Sequence, residues 1–167
     1  MNGSGTTDGP TNGLGNLVVG YNELRSTPSM PDIRTGSHNI VAGSRQNYSS
    51  YGGLLAGWYN EIEGPYSSVT GGVGNYAAGS ESAVCGGGYN EALGSGTVVC
   101  GGVFNVSSMQ YSWVGGGSGN TASGSWSSVS GGYQNVASGQ YSSVSGGTQR
   151  VAPGNSDWVA GSLWEDQ

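Results

Sequence analysis

The sequence predicts an all-β parallel solenoid, a β-roll of about 15-residue rungs with two short strands each and no significant helix. Three observations predict it. A valine returns every 15 residues, at Val69, Val84, Val99, Val114, Val129, Val144 and Val159. A glycine keeps the same register at Gly57, Gly72, Gly87, Gly102, Gly117, Gly132 and Gly147. An asparagine does so at Asn60, Asn75, Asn90, Asn105, Asn120 and Asn135, before Arg150 takes its place.

Composition alone would point elsewhere. Gly accounts for 35 residues, hydrophobic types for 34% and charged types for 8%, a balance that ordinarily leaves a chain disordered. The period overturns that reading, because the apolar positions fall in register rather than at random.

The stretch from Ser127 to Tyr141 shows one rung. It holds Ser-x-Val-x-Gly and Asn-x-Ala-x-Gly, and alternation of period two is the signature of a strand. Val129 then faces one way, Ser128 and Ser130 the other. The second column, Ala77, Ala92, Ala122, Ala137 and Ala152 with Ser107 in its midst, should face the valines across the interior. Gly131-Gly132 and Gly139-Gln140-Tyr141 should make the corners, where glycine supplies positive φ or close backbone approach. Glycines so frequent oppose helix at about 1 kcal/mol each.

In chain order, residues 1–14 read as a flexible lead, 15–161 as the repeat domain and 162–167 as a cap over the open end. The early rungs are one residue short. An insertion at 25–35 carries Arg25, Pro28, Pro31 and Arg34 and is the irregular loop most suited to an interaction. A Val–Ala interior is thin against roughly 1–2 kcal/mol of backbone entropy per residue. A further surface is therefore expected to be buried between chains in a homo-oligomer, with a trimer favoured. Tyr66, Tyr111, Trp126 and Tyr141 form a partial aromatic stripe that could serve this interface or cover a turn.

The repeat Ser-x-Val-Ser-Gly-Gly-x-x-Asn-x-Ala-Ser-Gly resembles the head repeats of trimeric autotransporter adhesins, the YadA-like left-handed parallel β-roll. The resemblance covers about 15–161 and rests on small-residue alternation and glycine spacing. It departs in its longer period, its doubled glycine and its asparagine, and neither a coiled-coil stalk nor an anchor segment accompanies it. It implies a left-handed roll, trimerisation and an extracellular or cell-surface role. The surface target, glycan or protein, stays open.

The chemistry-bearing residues are few. A net charge of −6 with four arginines and no lysine argues against nucleic acid, and no apolar run is long enough for membrane insertion. No signal peptide is read at the start of the chain. The asparagine column offers either a repetitive ligand face or, the preferred reading, a structural ladder. Cys85 and Cys100 share one column on adjacent rungs, close enough for a disulfide and equally consistent with two free thiols. No metal site, cofactor or catalytic constellation is expected, and the chain is not read as an enzyme. Asn47-Tyr48-Ser49 and Asn105-Val106-Ser107 match a glycosylation acceptor. Two alternative functions remain: an ice-binding solenoid using the column Ser67, Ser82, Thr97, Ser112, Ser127, Ser142 and Asp157, and a self-assembling filament subunit.

Overall fold

The computed structural model describes residues 3, 5–25 and 31–161. Over these the chain is an all-β parallel solenoid with no helix. One sheet has ten strands, stacked in chain order from Leu17–Val19, Ile40–Ser44 and Leu54–Trp58 through the two-residue strands Ser68–Val69 and Ala83–Val84 to Trp158–Val159. The other has eight, from Asn47–Tyr48 and Glu61–Ile62 to Val151–Ala152. Each strand pairs in parallel with its counterpart one rung away, such as Val114 with Val129 and Ala122 with Ala137. The shorter rungs appear in the same register: Ile40 pairs with Leu54, and Asn47 with Glu61.

Two strands do not complete a rung. A third parallel ladder of single-residue bridges runs through Trp58, Val73, Gly88, Val103, Ser118, Tyr133 and Thr148. The segment expected to be a glycine turn thus bears rung-to-rung hydrogen bonds of its own, such as Val103 N–H to Gly117 O at 3.0 Å.

The interior is one column of side chains from each sheet. Val69, Val84, Val99, Val114, Val129 and Val144 are buried opposite Ala77, Ala92, Ala122, Ala137 and Ala152, and Val159 is partly buried against the same cluster. Val41, Tyr48, Leu55 and Ile62 extend this core at its N-terminal end with larger side chains. Ser107 sits in the alanine column and is buried, its hydroxyl 2.7 Å from that of Ser112 across the core. A hydroxyl pair thus satisfies a position that alanine fills without polarity.

The corners divide the work of tight turning in an unexpected way. Gly132 does take positive φ (95°), but Gly139 does not. The left-handed residue of the Gly139-Gln140-Tyr141 turn is Tyr141, with φ 59°. Gly139 is required by close approach, since a Cβ there would stand 1.9 Å from Gly154 O. Gly131, in the same rung, has ordinary φ and open space around an added Cβ.

This contrast predicts the outcome of two matched substitutions followed by urea denaturation. Gly139→Ala loses about 3 kcal/mol or more, because backbone must separate to admit the methyl group. Gly131→Ala gains about 0.5 kcal/mol by restricting the unfolded chain.

Candidate functional site

The asparagine column is a buried spine rather than a ligand face. Asn60, Asn75, Asn90, Asn105, Asn120 and Asn135 are all sealed from solvent. Asn105 shows the bonding. Its Nδ2 donates to Gly101 O (2.9 Å) in its own rung and Gly117 O (3.0 Å) in the next. Its Oδ1 accepts the backbone N–H of Asn120 at 3.0 Å. Asn75, Asn90, Asn120 and Asn135 repeat this arrangement. The contacts run mainly from side chain to backbone, so the amides close corner peptides that neither sheet pairs. Gln46 extends the spine by one rung: its Oε1 accepts Asn60 N–H at 2.9 Å, and its Nε2 reaches Ala42 O and Gly57 O. At the other end Arg150 N–H donates to Asn135 Oδ1 at 2.9 Å. Gln46 is legible in the sequence only by stepping back 14 residues instead of 15, a spacing the shorter rungs display.

The serine column also points inward. Ser67, Ser82, Thr97, Ser112, Ser127 and Ser142 are buried. Ser67, Ser82, Thr97 and Ser112 each donate to the carbonyl three residues back at 2.7 Å, pinning the turn. This removes the column that supported ice binding. The reason lies in the alternation itself, which places Ser127 on the same face as Val129. Burial likewise withdraws both glycosylation acceptors, because Asn47 and Asn105 lie inside.

The aromatic stripe lies on one corner. Tyr66, Tyr111, Trp126 and Tyr141 are exposed, and all four take left-handed backbone. That conformation is unfavourable for bulky residues, and the rings offset it by packing between rungs. Tyr111 and Trp126 lie 4.3 Å apart between centroids, and Tyr111 covers Gly96, where an added Cβ would come within 2.5 Å of the ring. A second aromatic corner holds Tyr59, Tyr89 and Phe104, also left-handed, with Tyr89 stacked on Phe104 at 5.4 Å.

The described ends of the insertion are tied down. Arg25 is buried: its guanidinium donates to Arg45 O (3.0 Å), Asn60 O (2.6 Å), Tyr59 O (3.2 Å) and Glu61 Oε2 (2.8 Å), and lies over the Tyr59 ring. Arg34 donates to Asn22 O and Glu23 O and pairs with Asp32 at 2.9 Å. Neither arginine is held out toward a ligand. Both satisfy carbonyls where the loop meets the roll, which is how a buried guanidinium is tolerated. Pro28 lies outside the described residues, as does the 162–167 cap. Pro31 and Ile33 wall a cleft of about 280 Å³ with Arg25, Tyr59, Tyr76 and Tyr89. The Tyr76 hydroxyl donates to Glu63 there. Burial and then the Glu63 carboxylate push its ionisation well above the ordinary tyrosine range.

The outer face of the ten-stranded sheet is a further candidate surface. One column runs Leu17, Ile40, Leu54, Ser68, Ala83, Val98, Trp113, and its neighbour begins Val19, Ala42, Ala56. No position of either column carries a charge, and Leu17, Val19, Ile40, Leu54 and Trp113 are exposed. Trp113 reaches back one rung, its indole N–H 3.3 Å from Cys100 Sγ. Cys85 and Cys100 are both free and exposed on this face. Their place in one column suits a disulfide by Cα separation, and the structure holds them as two free thiols.

Among the described residues no group of three or more His, Cys, Asp and Glu side chains could hold a metal ion. No helix among them is long and apolar enough to cross a membrane. No family model matches the chain, and no curated protein matches it. The likeness to autotransporter heads therefore rests on the repeat text.

Two outcomes follow. Replacing Asn105 with Ala orphans buried groups on two rungs and costs about 3 kcal/mol in urea denaturation. The isosteric Asn105→Asp costs more, because a carboxylate cannot donate to the Gly101 and Gly117 carbonyls. For the insertion, Arg25→Ala frees the loop, and limited proteolysis cuts within 25–35 many times faster while the rungs beyond Leu54 stay protected.

Proposed function

We propose that the protein is a non-enzymatic structural and adhesive module: a rigid, left-handed, extracellular β-roll that trimerises and acts as a surface-adhesion or fibre head. The observation that carries this reading is the charge-free outer face of the ten-stranded sheet, with Leu17, Val19, Ile40 and Leu54 exposed side by side at one end. Soluble monomers seldom leave contiguous apolar surface of this kind uncovered. A copy of the same chain is its simplest cover, with the apolar face of one protomer meeting a different surface of the next around a three-fold axis.

The internal bonding supports the same reading. The conspicuous polar columns are consumed in building the rod, so the rod itself is the product of the repeat. Recognition of a surface target then falls to what decorates it, the exposed corner aromatics and the cleft beside the insertion. Aromatic side chains supply much contact area at little entropic cost. Trimerisation and the extracellular setting are what the likeness to the adhesin heads implies.

Sedimentation of the folded protein at micromolar concentration tests the association directly. The expected species is a trimer, and Ile40→Glu, a change at an exposed position, shifts it to monomer with the β-sheet spectrum unchanged. A monomer before any substitution would sink the proposal. Electron microscopy of concentrated protein separates the filament alternative, which requires extended particles.

A further inference from the structure

We propose that Cys85 and Cys100 form a two-coordinate site for a soft, thiophilic cation such as Cu(I) or Ag(I). Val84 pairs with Val99 in parallel register, and the backbone N–H groups of Cys85 and Cys100 bond to Val99 O and Val114 O, each at 2.9 Å. The two thiols therefore leave the same face from directly neighbouring strands. Strands in such a sheet are about 4.8 Å apart, and a metal–thiolate bond is about 2.3 Å. A linear sulfur–metal–sulfur unit needs its sulfurs about twice that bond length apart, a span of the same size as the strand spacing and within reach of side-chain rotation from two thiols on neighbouring rungs. Both thiols are free in the structure, so two sulfurs are available to one ion.

The surroundings suit a soft ion rather than a hard one. Both thiols are exposed, so an ion has access. The side chains around them are Thr70, Ala83, Val98 and Trp113, with no carboxylate or imidazole to recruit calcium, magnesium or tetrahedral zinc. The Trp113 indole N–H already points at Cys100 Sγ from 3.3 Å and remains able to donate to a thiolate. Gly115, the next position of the column, leaves the Trp113 ring room to lie across the face.

Binding is written as one monovalent cation and two thiols giving one bis-thiolate complex and two released protons. Because each thiol gives up its proton on binding, apparent affinity for the metal rises with pH. Sharing one ion between two fixed sulfurs also gives the chelate its advantage over a single thiol.

The test is titration of the reduced, folded protein with Cu(I), supplied anaerobically against a competing chelator, and with Ag(I). Expected are one ion per chain, quenching of Trp113 fluorescence lost in Trp113→Phe, and protection of both thiols from an alkylating reagent. Cys85→Ser and Cys100→Ser should each weaken binding by about a hundredfold or more, as loss of one of two linked contacts does. The decisive control keeps two thiols but moves one: Cys100→Ser combined with Ser130→Cys places them three rungs apart, and the tight one-to-one complex should vanish. Two ions per chain, or equal affinity in the displaced pair, overturns the proposal.

Discussion

Peptide groups at the corners of a narrow coil are the constraint on which this structure depends. Strands pair their own backbone across rungs, whereas at the asparagine corner only single-residue bridges do so, and further amides and carbonyls turn inward. Buried and unpaired, each would cost about 1–3 kcal/mol. The asparagine amide answers this because it is short and carries both a donor and an acceptor. One side chain binds carbonyls on two rungs and receives the amide of the next asparagine. Remove the spine, and the Val and Ala columns have no frame to pack within.

The same economy governs the other corner. Glycine at the Gly139 position serves close backbone approach, while left-handed geometry two residues on is carried mainly by Tyr66, Tyr111, Trp126 and Tyr141, with Gly96, Glu81 and Ser156 filling the rest of that column. Strain at Tyr66, Tyr111 and Trp126 is offset by ring packing on the neighbouring rung, a compensation open only to a stacked repeat. Met109 occupies a glycine position in this series and shows the limit of tolerance. A Cβ on Gly94 beneath it would meet backbone at 2.7 Å, against 1.9 Å at Gly79 and Gly139. The corner has opened around the larger residue.

With both corners and the interior committed to holding the rod, function moves outward, to surfaces that the repeat leaves variable. The face of the ten-stranded sheet changes character along its length: aliphatic near Leu17, Ile40 and Leu54, thiol-bearing at Cys85 and Cys100, and serine-rich at Ser128 and Ser143, which share a hydrogen bond of 3.0 Å. A rigid scaffold with a graded face can give association to one stretch and ligand chemistry to another. The insertion contributes by bracing, since its arginines spend their donors on the roll.

The order of residues alone dictates the solenoid, its register, the inward valines and alanines and the column of asparagines, because a strict period forces each residue type to meet its own copy one rung away. It also carries the inward direction of the serines, since Ser127 and Val129 differ by two positions. Other features emerge only when the chain is folded. The third ladder of bridges, the burial of Arg25 against Asn60 and Glu61, and the left-handed aromatics all depend on where segments remote in sequence come to lie. Periodicity reports what repeats. The insertion docks once, and the corners are shaped by contacts between rungs, so neither leaves a periodic trace.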